Sequence, residues 1–308
     1  LSLLVGLPYL KQADIIFGPL LGIAMGYSTI EVQPLTSCIG AEIAGVDLSK
    51  TLSDEQFQDV HDALVDNHVV FFRDQEISPE GQLEFAKRFG TPEIHPIVEG
   101  SNAHPELIEV LKPAGEGASF GTGWHTDNTF FEKPTMVTML YGLDIPPVGG
   151  DTLWASMEAA YDALSDGMKQ LLDGLVAVHS ARIAFDPRTT SEKYEGKHSL
   201  KYKYSEAVEV EVEHPLIRTH DVSGRKGIFV NPMFTLRIKG MTDAESAPLL
   251  KYLYEFATKP EFVCRFRWQP KSVAIWDNRC TQHYAMNDYV QYRRLMRRVT
   301  IGGDTRPV

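Results

Sequence analysis

The sequence has 308 residues, 43% of them hydrophobic and 23% charged, the profile of a globular chain long enough for one large core. Its 41 Asp and Glu outnumber 30 Lys and Arg, and the resulting net charge of −11 opposes binding to nucleic-acid phosphates or to an anionic membrane surface. Three cysteines with no short spacing, Cys38, Cys264 and Cys280, exclude a disulfide framework or a thiolate zinc site and suit a reducing cytoplasm.

Residues 1–27 are mostly apolar, interrupted by Lys11, Gln12 and Asp14. The unbroken run Ile15–Tyr27 covers 13 residues, too few to span a bilayer, and no basic segment precedes it as in a secretory signal. Two readings stand for this stretch: an extension outside the native domain, with Met25 as the true start, or a short helix that packs on the body or joins copies into a homo-oligomer. Residues 28–308 read as a single domain, without internal repeats or a linker.

Strand-like segments at 29–32 and 38–46 open the body. Ser53 and Gln56 have capping-box spacing ahead of a helical stripe of Phe57, Val60, Ala63 and Leu64. Residues 69–72 (VVFF) read as a buried strand, and Ser78-Pro79 starts a helix that Gly90 ends. Short strands are then expected near 107–111, 136–141, 152–155, 175–179, 215–219, 227–230, 262–268, 272–276 and 299–301, with helices near 156–164 and 242–258. The pattern predicts a mostly β fold, a sandwich or barrel with helices packed outside. Residues 186–213, polar and rich in Lys, Glu and Tyr, read as a surface insertion, either a lid or a loop without a role.

With ten histidines and 41 acidic residues, about one His-x-Asp/Glu triplet is expected by chance, and the chain has two. His104-Pro105-Glu106 sits in a polar stretch that a solvated turn explains. His125-Thr126-Asp127 lies at the edge of a strand-rich region, where residues i and i+2 share a face and can offer an imidazole and a carboxylate to one ion. His283, after the strand-like 273–276 and a turn, supplies a distant third ligand, completing a two-histidine, one-carboxylate facial set with open coordination positions. Arg293, Arg294, Arg297 and Arg298 crowd one short segment of an acidic chain. On a strand, Arg294 and Arg298 share one face and Arg293 and Arg297 the other. An inward guanidinium needs an anion, which a dicarboxylate supplies through bidentate pairing.

Five motifs, Trp124-His-Thr-Asp-Asn-Thr-Phe, Gly149-Gly-Asp-Thr-Leu-Trp, Arg218-Thr-His, Trp276-Asp-Asn-Arg-Cys-Thr-Gln-His and Arg293-Arg-Leu-Met-Arg-Arg, carry a resemblance over residues 28–304. The chain resembles the taurine/2,4-dichlorophenoxyacetate dioxygenases (TauD/TfdA) of the iron(II)/2-oxoglutarate class. The resemblance implies a double-stranded β-helix, or jelly roll. It implies iron(II) on His125, Asp127 and His283, with 2-oxoglutarate and O₂ as co-substrates. Arg294 and Thr152 match the residues that hold the distal carboxylate of 2-oxoglutarate, and Arg298 matches an arginine between co-substrate and substrate. The implied reaction hydroxylates a C–H next to a heteroatom and releases succinate and CO₂.

For substrate, the resemblance points to His95 and Arg298 as a cationic grip on a small organic anion, with Phe185 and Phe234 as apolar walls. Val98 and Gly121 stand where the taurine enzymes carry Tyr and Asn, so a bulkier anion is expected: an alkylsulfonate, an alkyl sulfate or an aryloxyalkanoate. Taurine itself is the alternative. Of two rivals, a zinc or manganese hydrolase or isomerase leaves Arg294 and Thr152 without a task, and a non-catalytic β-sandwich makes the metal triad a coincidence.

Overall fold

The computed structural model describes residues 26–117, 120–186 and 205–308. The described strands are β1 (Glu31–Pro34), β2 (Ala41–Ala44), β3 (Val69–Phe72), β4 (Leu107–Lys112), β5 (Val137–Asp144), β6 (Thr152–Ser156), β7 (Val176–His179) and β8 (Val212–Pro215). They continue with β9 (Ile217–Thr219), β10 (Lys226–Ile228), β11 (Thr235–Ile238), β12 (Val263–Phe266), β13 (Val273–Asp277), β14 (Thr281–Ala285) and β15 (Arg294–Ile301).

One large sheet runs β1-β2-β3-β13-β5-β15-β4, and smaller sheets run β12-β6-β14, β11-β7-β8 and β10-β9. Alternation along β3 shows how the layers form. Val70 and Phe72 face a core shared with Val60 and Leu64 of α1 (Asp54–Asn67) and with Leu83 and Phe85 of α2 (Pro79–Lys87). Val69 and Phe71 face the other way, into a second core with Trp154 of β6, Phe266 of β12 and Trp276 of β13. Both faces of the large sheet are covered, which is why β3 reads as an unbroken apolar run. The result is the expected jelly roll, with α1 and α2 outside and the small sheets closing the barrel.

The Ser53 hydroxyl caps α1 by accepting the Gln56 N–H at 3.1 Å. The Gln56 side chain does not return to close a capping box; it donates to the Gly45 carbonyl at 3.1 Å and ties the helix to β1–β2 instead. A reciprocal box does form at the start of the helix Asp243–Ala257, between Thr242 and Glu245.

Residues 1–25 of the apolar extension and 187–204 of the insertion lie outside the described residues. Tyr27 packs on the α1 side of the fold, its hydroxyl donating to Asp66 at 2.9 Å. The described end of the insertion is built into the domain: Val208 is buried with Ile97, Phe130 and Phe234, and Val212 already belongs to β8. Among the described residues, no helix is long and apolar enough to cross a membrane.

Candidate metal centre and co-substrate pocket

His125 lies between β4 and β5 and is joined to His283 of β14 by an antiparallel bridge, its N–H donating to the His283 carbonyl at 3.0 Å and its carbonyl accepting the His283 N–H at 2.8 Å. This backbone clasp sets the two rings 4.1 Å apart. The His125 Nδ1–H donates to the Gly123 carbonyl at 2.8 Å, which leaves the Nε2 lone pair facing inward. Asp127, two residues on, is held from several sides. Its Oδ2 accepts the Thr138 hydroxyl of β5 at 2.7 Å, and its N–H donates to Asn278 Oδ1 at 3.2 Å. Asn278 is itself fixed by Thr138 at 2.9 Å and by the Trp276 indole N–H at 3.1 Å.

Asp127 Oδ1 then lies 3.6 Å from His125 Nε2, 3.8 Å from His283 Nε2 and 2.8 Å from the Arg298 guanidinium. One ligand atom from each of His125, Asp127 and His283 falls within 4.8 Å of the others, and all three residues are buried. Burial depresses the pKa of both imidazoles, His283 further than His125, so both rings are neutral. Burial alone would raise Asp127, but the Arg298 guanidinium, helped by the Thr138 hydroxyl, outweighs it and holds the carboxyl below its usual range. Two neutral imidazoles and one carboxylate converging on one point fit a divalent metal of the non-haem iron type.

A cavity enclosing about 470 Å³, part of it open to solvent, extends from this cluster past Val110, Thr152, Trp276, Arg294 and Arg298. Thr152 Oγ1 accepts the Trp268 indole N–H at 2.9 Å, so its own proton is directed elsewhere. Arg294 is 5% exposed, yet its Nε and Nη2 make no hydrogen bond. A buried guanidinium with unmade bonds beside a hydroxyl suits a carboxylate and leaves little else that would satisfy it.

Residues 31–300 match the model of the taurine catabolism dioxygenase TauD, TfdA family. The chain belongs to that family. It is 38% identical to an alkylsulfatase of Acinetobacter baylyi over 89% of this chain and 86% of that one. It is also 38% identical to an alpha-ketoglutarate-dependent sulfate ester dioxygenase of Pseudomonas putida, covering 89% and 90%. A solved taurine dioxygenase from Burkholderia xenovorans superposes with a TM-score of 0.77 at 37% identity, covering 91% of each chain.

Not every site residue expected from the resemblance to the TauD/TfdA dioxygenases arrives at the cavity. His95 is buried, but its Nδ1 accepts the N–H groups of Ile97 and Val98 at 3.1 and 3.0 Å, and its Nε2 donates to Asn128 Oδ1 at 3.2 Å. Both ring nitrogens of His95 are thus engaged by the protein's own groups, with Nδ1 as the acceptor. Phe185 and Phe234 stack 6.2 Å apart beside it and do not line the cavity, although Phe234 reaches the His125 ring at 6.5 Å. Arg298, paired with Asp127, is the cation that does face the site. His104 pairs with Glu80 at 3.0 Å on the surface, as its polar surroundings implied.

Thr138, Asn278 and Trp268 escaped the sequence reading. A lone threonine inside the apolar run Val137–Tyr141 is the signal that could have found Thr138, since only a specific partner compensates a buried hydroxyl there.

Proposed function

We propose that this chain is an iron(II)- and 2-oxoglutarate-dependent dioxygenase that hydroxylates a small organic anion with an apolar chain or ring, next to a heteroatom. The observation that carries the proposal is the pairing of a buried two-histidine, one-carboxylate cluster with a buried, under-bonded Arg294 in one cavity. His125, Asp127 and His283 hold the iron. Arg294 and Thr152 hold the distal carboxylate of 2-oxoglutarate, and Arg298 stands between co-substrate and substrate. When bound, iron and 2-oxoglutarate together activate O₂ for oxygen insertion into a C–H bond, with succinate and CO₂ as co-products. The chain's own share is to keep both imidazoles unprotonated and to fix Asp127 through Thr138 and Asn278, so that the ligand atoms are held in place.

Alkyl sulfates, alkylsulfonates and aryloxyalkanoates are the substrate classes we favour over taurine. Val110, Phe120, Gly121 and Leu140 give the cavity an apolar or empty wall near the metal cluster. Three free cysteines are consistent with a cytoplasmic enzyme. The test is a panel of octyl sulfate, octanesulfonate, phenoxyacetate, taurine and a neutral alcohol, scored by succinate release with iron(II) and 2-oxoglutarate. The apolar anions stimulate release most; a panel led by taurine, or one in which the alcohol equals the anions, contradicts this pocket.

A further inference from the structure

Lys112 ends β4, and the β4–β15 register places Arg298 opposite Ile108, Met296 opposite Val110 and Arg294 opposite Lys112. Residues directly opposite across a ladder share a face. Arg294, Met296, Arg298 and Val110 all line the cavity, so Lys112, opposite Arg294, stands on the same face of the sheet, just behind the lining residues. It is 4% exposed, its Nζ lies 4.5 Å from the centre of the Tyr289 ring, and that nitrogen makes no hydrogen bond. The Arg294 guanidinium carbon lies 5.8 Å from the same ring. Glu116 adds a favourable charge near Lys112 but no hydrogen bond to it. Two buried cations flank one aromatic ring, and neither has a full set of partners. Such an arrangement is costly in the free protein and favourable around an anion.

We propose that Lys112 is a second cation for the distal carboxylate of 2-oxoglutarate, acting with Arg294 to select 2-oxo dicarboxylates over 2-oxo monocarboxylates. The inference rests on the assignment of Arg294 to that carboxylate. It is tested by thermal unfolding and binding titration of the full chain loaded with Mn(II) under argon, with 2-oxoglutarate or with 2-oxobutyrate, which lacks the second carboxylate. Lys112→Met removes an unpaired buried cation, so without co-substrate the variant melts at or above the wild-type Tm. Its Kd for 2-oxoglutarate rises about tenfold, the scale of one lost charged contact. Its Kd for 2-oxobutyrate stays unchanged, and Lys112→Arg restores most of the 2-oxoglutarate affinity. A lower Tm with an unchanged Kd for 2-oxoglutarate makes Lys112 a prop for Tyr289 and overturns the proposal, as does an equal loss for both oxo acids. A wild-type chain that ignores 2-oxoglutarate overturns the assignment of Arg294 itself, and this proposal with it.

Discussion

Asp127 is the residue on which the site turns, because one of its oxygens faces both imidazoles and Arg298 at once. Asp127→Asn keeps the shape and the contact with Thr138 but removes the charge. Iron affinity measured by anaerobic titration should fall more than about 100-fold, beyond the 10- to 100-fold typical of losing an outer partner of a ligand. His104→Ala, from the other triplet, should leave it unchanged; the reverse outcome means that the wrong triplet was chosen. Gly121 offers a second test at this scale. A Cβ there would stand 3.5 Å from His125 Cε1 and 3.7 Å from Ala285 Cβ, at φ +77, a backbone conformation that Asn tolerates better than most residues. Gly121→Asn should therefore fold, narrow the cavity beside the metal and shift the ratio of octyl sulfate to taurine turnover about tenfold toward taurine. An unchanged ratio means that bulky substrates do not pass Gly121.

β15 decides the co-substrate end. Its alternation sends Arg294 and Arg298 toward the cavity, while Arg297 turns to the opposite side, where it donates to Gln82 Oε1 and the Ile77 carbonyl, both at 2.6 Å. Period-two spacing alone told which arginines share a face; which face is inward became legible only through the resemblance. Arg294→Lys keeps the charge but loses the planar fork, so the Kd for 2-oxoglutarate should rise about tenfold in equilibrium binding. An unchanged Kd removes Arg294 from the co-substrate site. β14 was the strand least legible in the sequence. Thr281, Gln282 and His283 are buried, but the strand is polar because it serves the site and not an apolar core, so hydrophobic pattern could not mark it. β3, enclosed on both faces, was plain for the opposite reason. One detail at His95 lay beyond the sequence: backbone N–H groups two and three residues downstream occupy its Nδ1, a turn geometry that no residue spacing reveals.

At the scale of the molecule, the acidic chain encloses a set of buried histidines that resist protonation. Burial depresses His125, His179 and His283, and it lowers His214 to about 4. The unfolded chain takes up these protons below about pH 6.5 whereas the folded chain does not, so the stability they contribute is complete above that pH and is lost as pH falls. Each ring that stays neutral down to pH 5 removes about 2 kcal/mol between neutrality and that point. Urea midpoints of the metal-free protein should fall steeply from pH 7.5 to 5.0, and a flat or rising midpoint contradicts neutral buried imidazoles.

The central claim is that one buried cluster binds iron(II) and presents it to 2-oxoglutarate, and anaerobic visible spectroscopy reads both events together. Adding iron(II) and then 2-oxoglutarate to the metal-free protein should develop the charge-transfer absorption of a chelated 2-oxo acid, saturating at one iron per chain and absent in Asp127→Asn and His283→Ala. Failure of the wild-type protein to develop that absorption, or its persistence at full strength in both variants, contradicts the account.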